Sequence, residues 1–291
     1  MTVTVLLTGA SGQLGFELQR RVPADVTLVA LDRAHLDLRD APAMLACLDR
    51  HRPDVILNCA AYTAVDRAES EPADAFAVNA AAVAMLASAA RRIDARLIHT
   101  STDFVFSGPA SGLRQPDERT SPASAYGTSK RDGEVAVLET LGDRGLVMRT
   151  SWLYSSHGTN FVKTILRRMR EKDEVRVVSD QIGAPTWAHG LATALWAAVA
   201  APQVSGIQHW TDAGVASWYD FAVAIQEEAF ARGLLSRASP IVPISTADYP
   251  TPASRPAFSV LDIRDTARAL GLTPTHWRVQ LRLMLDELAN A

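Results

Sequence analysis

Val3-Thr4-Val5-Leu6-Leu7-Thr8-Gly9-Ala10-Ser11-Gly12-Gln13-Leu14-Gly15 is the stretch on which the fold turns. Val3 to Leu7 is a β-branched and leucine run of the kind that forms a buried strand, with no polar alternation. It runs without a spacer into glycines at positions 9, 12 and 15, and Gln13 to Arg21 then reads as an amphipathic helix. Glycine tolerates positive φ and lets backbone N–H groups approach a pyrophosphate, and the helix adds its positive N-terminal end. A strand, a GxxGxxG turn and a helix in that order predict a dinucleotide site at Gly9, Gly12, Gln13, Leu14 and Gly15.

Outward from this turn the same alternation continues. Thr27–Leu31, Val55–Cys59, Arg96–Thr100 and Leu146–Thr150 read as strands. Between them Ala41–His51, the alanine-rich Pro72–Ile93 and Tyr126–Leu141 read as helices. Continuous apolar strands, each followed by a helix, predict an α/β fold: a doubly wound parallel sheet of Rossmann type. The second half is less regular. Asn160–Arg170, Leu261–Leu270 and Trp277–Leu288 read as helices, Gly206–Thr211 as a returning strand, and the proline-rich 180–186 and 249–256 as loops. The expected division is a dinucleotide-binding unit over 1–154, rejoined by about 160–172 and 204–212. The remainder of 155–291 forms a smaller C-terminal substrate-binding lobe.

With 29 basic against 32 acidic residues, the net charge of −3 provides no broad cationic field for nucleic acid or an anionic membrane. No 18-residue run reads as apolar enough to span a bilayer, and the N-terminus lacks a signal-peptide layout, so a cytoplasmic protein is expected. Cys47 and Cys59 have neither CxxC spacing nor nearby histidines, which argues against a disulfide framework or a zinc site. They read as two buried thiols. No metal is expected, and Glu17 reads as a solvated helix charge.

Asp32 closes the second strand 17 residues after Gly15, near the position of a ribose-binding acid. It favours the 2′-hydroxyl of NADH, whereas the adjacent Arg33 suits the 2′-phosphate of NADPH, so either cofactor fits. Asp37 and Leu38 read as lying against adenine. Tyr126 and Lys130 are four apart on one helix face. Bringing a phenol from about 10 to roughly 7 takes about 4 kcal/mol, the order a Lys⁺ some 4 Å away supplies. Thr100-Ser101-Thr102 ends the fourth strand, where a hydroxyl can polarise a substrate carbonyl. Thr63, Val65 and Asp66 follow the third strand at the cofactor–substrate crevice. Trp152 follows the fifth strand and reads either as a stacking surface for a ligand or as core; Trp187, Trp196, Trp210, Trp218 and Trp277 read as core. Arg255 lies in a proline-fenced loop with a nucleotide contact in view. Arg167, Arg168 and Arg170 read as a solvated helix face, and His99, His157 and His189 as structural residues without identifiable partners.

At these positions the chain resembles the extended short-chain dehydrogenases/reductases and, within them, the dTDP-4-dehydrorhamnose reductase family. The resemblance runs nearly end to end through LLTGASGQLGFEL, RPDVILNCAAYTAVDRAESEP, HTSTDFVFSG, SPASAYGTSKRDGE, MRTSWLYSSHGTNFV, SDQIGAPT and YPTPASRPAFSVLD. It implies cofactor contacts at Gly12, Gln13, Leu14, Asp32, Asp37, Leu38, Ala61, Tyr62 and Thr63, with Tyr126 and Lys130 also at the cofactor. It implies catalysis by Thr102, Tyr126 and Lys130, and substrate contacts at Thr102, Asp103 and Trp152. The implied reaction is NADPH- or NADH-dependent reduction of the C4 keto group of dTDP-4-dehydro-L-rhamnose, with a homodimer compatible. Two positions depart from the family pattern: Phe104 stands where a tyrosine is usual, and Ala257-Phe258 where an asparagine is frequent. Two other readings stay open. One is a reductase or epimerase of another nucleotide-linked deoxysugar. The other is a regulatory module like the methionine adenosyltransferase beta subunit, against which the intact Thr102, Tyr126 and Lys130 set counts.

Overall fold

The computed structural model describes residues 2–108 and 112–290. The first half alternates β1 (Val3–Thr8), α1 (Gln13–Gln19), β2 (Val26–Leu31), α2 (Ala41–His51) and β3 (Val55–Asn58). There follow α3 (Val65–Ser70), α4 (Pro72–Phe76), α5 (Ala82–Arg92), β4 (Arg96–Thr102), α6 (Ala125–Leu141) and β5 (Gly145–Thr150). The second half holds β6 (Leu153–Tyr154), α7 (Phe161–Glu171), β7 (Val175–Val178), β8 (Ile182–Gly183), β9 (Thr186–Trp187) and α8 (Ala188–Ala200). It ends with β10 (Gly206–His209), β11 (Ala216–Ser217), α9 (Trp218–Ala231), β12 (Ile241–Ile244), α10 (Arg264–Leu270) and α11 (Trp277–Ala289).

Six strands form one parallel sheet in the order β2-β1-β3-β4-β5-β10. The chain leaves β1 to one side for β2 and returns to the other side for β3. The order therefore reverses between β1 and β3, and the crevice of a doubly wound sheet opens beyond the carboxyl ends of those strands. Alternate strand residues face opposite sides. Val5, Leu7 and Leu57 pack with Leu14, Leu18, Leu195 and Trp196 of α1 and α8. Leu6 and Ile56 pack with Met44, Leu48, Leu86 and Val137 of α2, α5 and α6. A third cluster is built from α7, α9 and α11 around Leu166, Phe221, Ile225, Leu281 and Met284.

Two expectations are corrected here. The segment 160–172 does not rejoin the sheet: Val162, Ile165, Leu166 and Met169 belong to the third cluster. The helix that covers the sheet is α8, an alanine-rich segment whose uniform apolarity gives no sequence period to read. Pro72–Arg92 is moreover, by length and composition, long and apolar enough to cross a bilayer. In the fold its stripe of Ala82, Val83, Leu86, Ala87 and Ala90 is buried under the sheet, and it is not a single regular helix. A π-helical turn at Ala77–Ala81 separates α4 from α5.

Candidate active site

A cavity of about 780 Å³ lies along the crevice. Gly9, Gly12, Gln13, Leu14, Gly15, Asp37, Leu38, Ala61, Tyr62, Thr63 and Val65 line it, as do Thr102, Asp103, Tyr126, Lys130 and Trp152. The three glycines answer different demands. At Gly9, with φ +74°, a Cβ would stand 2.7 Å from the Ala60 nitrogen, and at Gly15 it would stand 2.3 Å from the Gly9 oxygen. Packing within the protein therefore requires both. A Cβ on Gly12 would come no closer than 3.3 Å to anything, so its bareness serves the cavity side. Gly12 is also the N-cap of α1 and offers no side-chain cap, which leaves the first amides of that helix free for an anion. A nicotinamide dinucleotide fits this cradle.

Past the end of β2 the two adjacent candidates separate. Asp32 is absent from the cavity wall because its Oδ1 accepts from the Ala34 and His35 amides at 3.0 and 3.1 Å and meets His35 Nδ1 at 2.7 Å. Arg33 lines the cavity instead. Asp37, held down at about 2 chiefly by hydrogen bonds from Arg39, stays ionised there.

Serine 124 caps α6 by accepting from the Gly127 amide at 3.0 Å, and this helix carries Tyr126 and Lys130 against the end of β4. Both are almost wholly buried. Lys130 Nζ donates to the Thr100 carbonyl at 2.7 Å and lies 3.2 Å from His99 Nε2. Thr102 Oγ1 donates to Asp103 Oδ1 at 3.1 Å and receives the Phe104 amide at 3.2 Å. The expected depression of the Tyr126 phenol does not occur. Burial pushes it up to about 12, opposed only by a hydrogen bond with Thr102. Burial likewise draws Lys130 down to about 8 and raises Asp103 to about 6. The lysine is turned towards the strand, so the phenol remains a full proton carrier at neutral pH.

On the side facing the third cluster, Trp152 has φ +47° and stacks on Trp218 with ring centroids 3.5 Å apart and planes within 5°. Trp152 therefore lines the cavity while its other face is packed on Trp218, which lies outside this wall, half-buried against the third cluster. Trp187, Trp196, Trp210 and Trp277 are buried. Asp66 and Arg255 do not reach the cavity wall. They pair with each other at 2.9 Å, fastening the 249–256 loop to α3. Arg255 borders a second cavity, about 290 Å³, together with Arg168, Arg176, Gln181, Trp218 and Tyr249. Arg168 thus faces this cavity rather than solvent alone, while Arg170 donates to the Leu234 carbonyl at 3.0 Å.

Several residues were misread or missed by sequence reasoning. Glu17 is not a solvated charge: it is fully buried, its Oε1 accepts from Ser155 at 2.9 Å, and burial raises its pKa. Among the described residues no group of three or more His, Cys, Asp or Glu side chains is arranged to hold a metal. Cys47 and Cys59 are free and half-buried. All three histidines have partners: His99 meets Asn58 and Lys130, His157 meets the Ser11 carbonyl and stacks on Phe16, and His189 meets Arg21. Asn79, in the π turn, was not singled out at all. Its amide takes the Tyr62 N–H at 2.9 Å and donates to the Tyr62 carbonyl at 3.0 Å, fixing the cavity wall.

The strand order, the glycine turn and a Tyr–Lys helix beside a strand-end threonine together define an extended short-chain dehydrogenase/reductase, a nicotinamide-dependent oxidoreductase. The model of the RmlD substrate binding domain family matches residues 3–290, and the chain belongs to this family. It is 42% identical to a dTDP-4-dehydrorhamnose reductase of Burkholderia thailandensis over 98% of this chain and 99% of the relative. It is 44% identical to a probable dTDP-4,6-dihydroxy-2-methyloxan-3-one 4-ketoreductase of Streptomyces antibioticus, over 98% of this chain and 96% of that protein. Among solved structures, the dTDP-4-dehydrorhamnose reductase of Bacillus anthracis in complex with NADP superposes with a TM-score of 0.92 at 32% identity, covering 99% of this chain and all of that one.

Proposed function

We propose that this protein reduces the C4 keto group of dTDP-4-dehydro-L-rhamnose to give dTDP-L-rhamnose, using NADPH or NADH. The observation that carries the reading is that Thr102, Tyr126 and Lys130 line the same cavity as the glycine turn. The bound nicotinamide supplies the hydride that reduces the carbonyl carbon. The chain's own groups handle the oxygen. The Thr102 hydroxyl orients the carbonyl, and the Tyr126 phenol, protonated at neutral pH, gives its proton to the oxygen as charge develops there. Lys130 holds the ribose and steadies the phenolate left behind. Of the cofactor candidates, Gly9, Gly12, Gln13, Leu14, Gly15, Asp37, Leu38, Ala61, Tyr62 and Thr63 take the dinucleotide. Arg33, rather than the internally bonded Asp32, meets the 2′ position, which favours NADPH.

Val65, Asp103 and Trp152 border the sugar. Arg255, held by Asp66, joins Arg168 and Arg176 in offering cationic contacts to the diphosphate. The third cluster and its loops form the substrate-binding lobe, and the enzyme works in the cytoplasm. A second reading has one specific support. The Streptomyces antibioticus relative is named for a different dTDP-linked sugar, so a 4-keto sugar other than dehydrorhamnose is the alternative substrate. The test is oxidation of NADPH in the presence of dTDP-4-dehydrorhamnose beside a panel of other nucleotide-linked 4-keto sugars, with the product identified. Turnover greatest with another member of the panel overturns the assigned sugar. Tight NADPH binding with no keto-sugar reduced overturns the enzyme reading.

A further inference from the structure

Tyr126 stands in the first turn of α6, so its place in the cavity wall is set by how that end of the helix is held. The first amides of any helix have no partner within it and must find one outside. Ser124 supplies one locally, accepting from the Gly127 N–H at 3.0 Å. The Ala125 N–H, one residue before the phenol, donates instead to Glu69 Oε1 of α3 at 2.8 Å, a partner 56 residues earlier in the chain. Val65, Ala68 and Glu69 share one face of α3, at spacings of three and four. Val65 lines the cavity, Ala68 is fully buried in the same small cluster as Tyr126, and Glu69 holds the start of α6. Phe104 meets the Tyr126 ring edge-on, with centroids 5.6 Å apart. A Cβ on Gly127 would lie 2.2 Å from the Phe104 oxygen, so α6 has no room to move towards that turn.

From this arrangement we infer that Glu69 is a positioning residue for the reduction: by fastening the first turn of α6 to α3, it sets where the Tyr126 hydroxyl stands when the proton is passed. The inference rests on the proposed role of Tyr126 as proton donor. The close contacts at Phe104 block movement in one direction, but they do not draw α6 towards α3. The Glu69 hydrogen bond does. One turn further on, Asn79 donates to Ser129 Oγ at 3.1 Å, which ties the next turn and leaves the first to Glu69. α3 is itself a firm support. Its Asp66 accepts from the Arg255 guanidinium at 2.9 Å. Glu71, just past its end, accepts from the Tyr62 hydroxyl at 2.7 Å and from Arg67 at 2.8 Å. Glu69 is exposed, so water replaces it as the partner of the Ala125 N–H when the carboxylate is removed, and folding loses little. Catalysis loses more, because a proton donor works only within hydrogen-bond reach of its acceptor and a small displacement is costly. Removal of Glu69 is therefore expected to show in kcat and to be almost silent in stability.

Glu69→Ala removes the acceptor, whereas Glu69→Gln keeps a carbonyl oxygen for the Ala125 N–H and serves as the rescue. With NADPH and the 4-keto sugar that the wild type turns over best, Glu69→Ala should lower kcat about tenfold, short of the roughly hundredfold cost of a full ångström of misplacement. KM for the sugar and Kd for NADPH should stay within about twofold of wild type, and the thermal midpoint should hardly move. The solvent deuterium isotope effect on kcat should rise, because delivery of the proton becomes slower. Glu69→Gln should match the wild type in all of these. Two NMR readouts need no turnover. One is protection of the Ala125 amide from exchange; the other is the ring-carbon signal of Tyr126 among the chain's five tyrosines, assigned with Tyr126→Phe. Both should change in Glu69→Ala and hold in Glu69→Gln. An unchanged kcat or an unmoved ring signal in Glu69→Ala overturns the inference, as does a Gln variant as slow as the Ala one. A fall in kcat matched by losses of cofactor affinity and thermal stability overturns it too. A wild type that reduces no nucleotide-linked 4-keto sugar overturns the proposed function instead, and the two NMR readouts then decide whether Glu69 places the phenol.

Discussion

Tyr126 and Lys130 carry opposite displacements for the same reason. Each is neutral in one protonation state, and a dry site favours that state. For the tyrosine this is the protonated form, which is what a proton donor to a new alkoxide requires. Tyr126→Phe should therefore bind NADPH almost as the wild type does, measured by fluorescence titration, yet lose about 10²–10⁴ in kcat. Near-normal turnover in that variant would remove the phenol from the mechanism. The proposed cofactor choice also turns on single residues. Asp32 spends its oxygen on its own turn, whereas Arg33 borders the cavity while largely exposed. Arg33→Ala should lower kcat/KM for NADPH roughly fivefold, the worth of one solvent-screened contact, and leave NADH unchanged. An equal effect on both cofactors would place the arginine elsewhere than the 2′-phosphate. The Tyr–Lys pair and the strand-end threonine were legible because their spacing carries chemistry. His99 was not, since a lone histidine in a strand has no spacing to read, and its partner is 31 residues away on another element. Glu17 was misread because the chain that buries it, at Ser155, arrives 138 residues later.

Elements with a strong local signal matched their sequence reading closely. Asp40 accepts from the Ala43 amide at 3.0 Å and, with a proline in the first turn, starts α2; Arg52 ends it in the left-handed region. Irregularities imposed from outside were invisible. The run from Pro72 onward has uniform helix propensity, but Asn79 must reach the Tyr62 backbone, and α6 approaches so closely that a Cβ on Gly133 would lie 2.2 Å from the Asn79 oxygen. The π turn meets both demands by inserting an extra residue into the helix. Asn79→Ala should release the Ala61–Thr63 wall and raise the Kd for NADPH about fivefold to tenfold, the value of one or two hydrogen bonds. An unchanged Kd with unchanged thermal stability would make the π turn incidental. The short β8 strand is constrained in the same way. A Cβ on Gly183 would stand 2.5 Å from the Trp152 indole, which is stacked on Trp218. Gly183→Ala should therefore raise KM for the nucleotide sugar while NADPH binding is retained. Loss of both affinities together would show that the paired indoles support the whole site.

At the scale of the whole molecule, Asp212 is one of the polar side chains that join the sheet unit to the third cluster. It follows β10, accepts from the Trp187 amide at 2.8 Å and faces Gln280 of α11 at 3.5 Å. The oxygen that faces Gln280 also lies against Gly190 of α8, where a Cβ would come within 2.7 Å. Burial raises the Asp212 carboxyl to about 8, whereas an unfolded aspartate titrates near 4. Between those values the folded protein binds the proton that the unfolded chain has released. The contribution of this group to stability is therefore complete below about pH 4, declines as pH rises, and is lost once pH passes about 8. Each unit of that displacement corresponds to about 1.4 kcal/mol, so the slope is large enough to read in a melting curve. Thermal midpoints measured from pH 5 to pH 8.5 should fall in the wild type through this term. In Asp212→Asn, whose amide is neutral throughout and keeps an acceptor for the Trp187 N–H, the fall should be shallower, and the two proteins should converge or cross at the alkaline end. Parallel curves for the two proteins would mean that another group sets the pH dependence, and that Asp212 is ionised or solvated in the folded state.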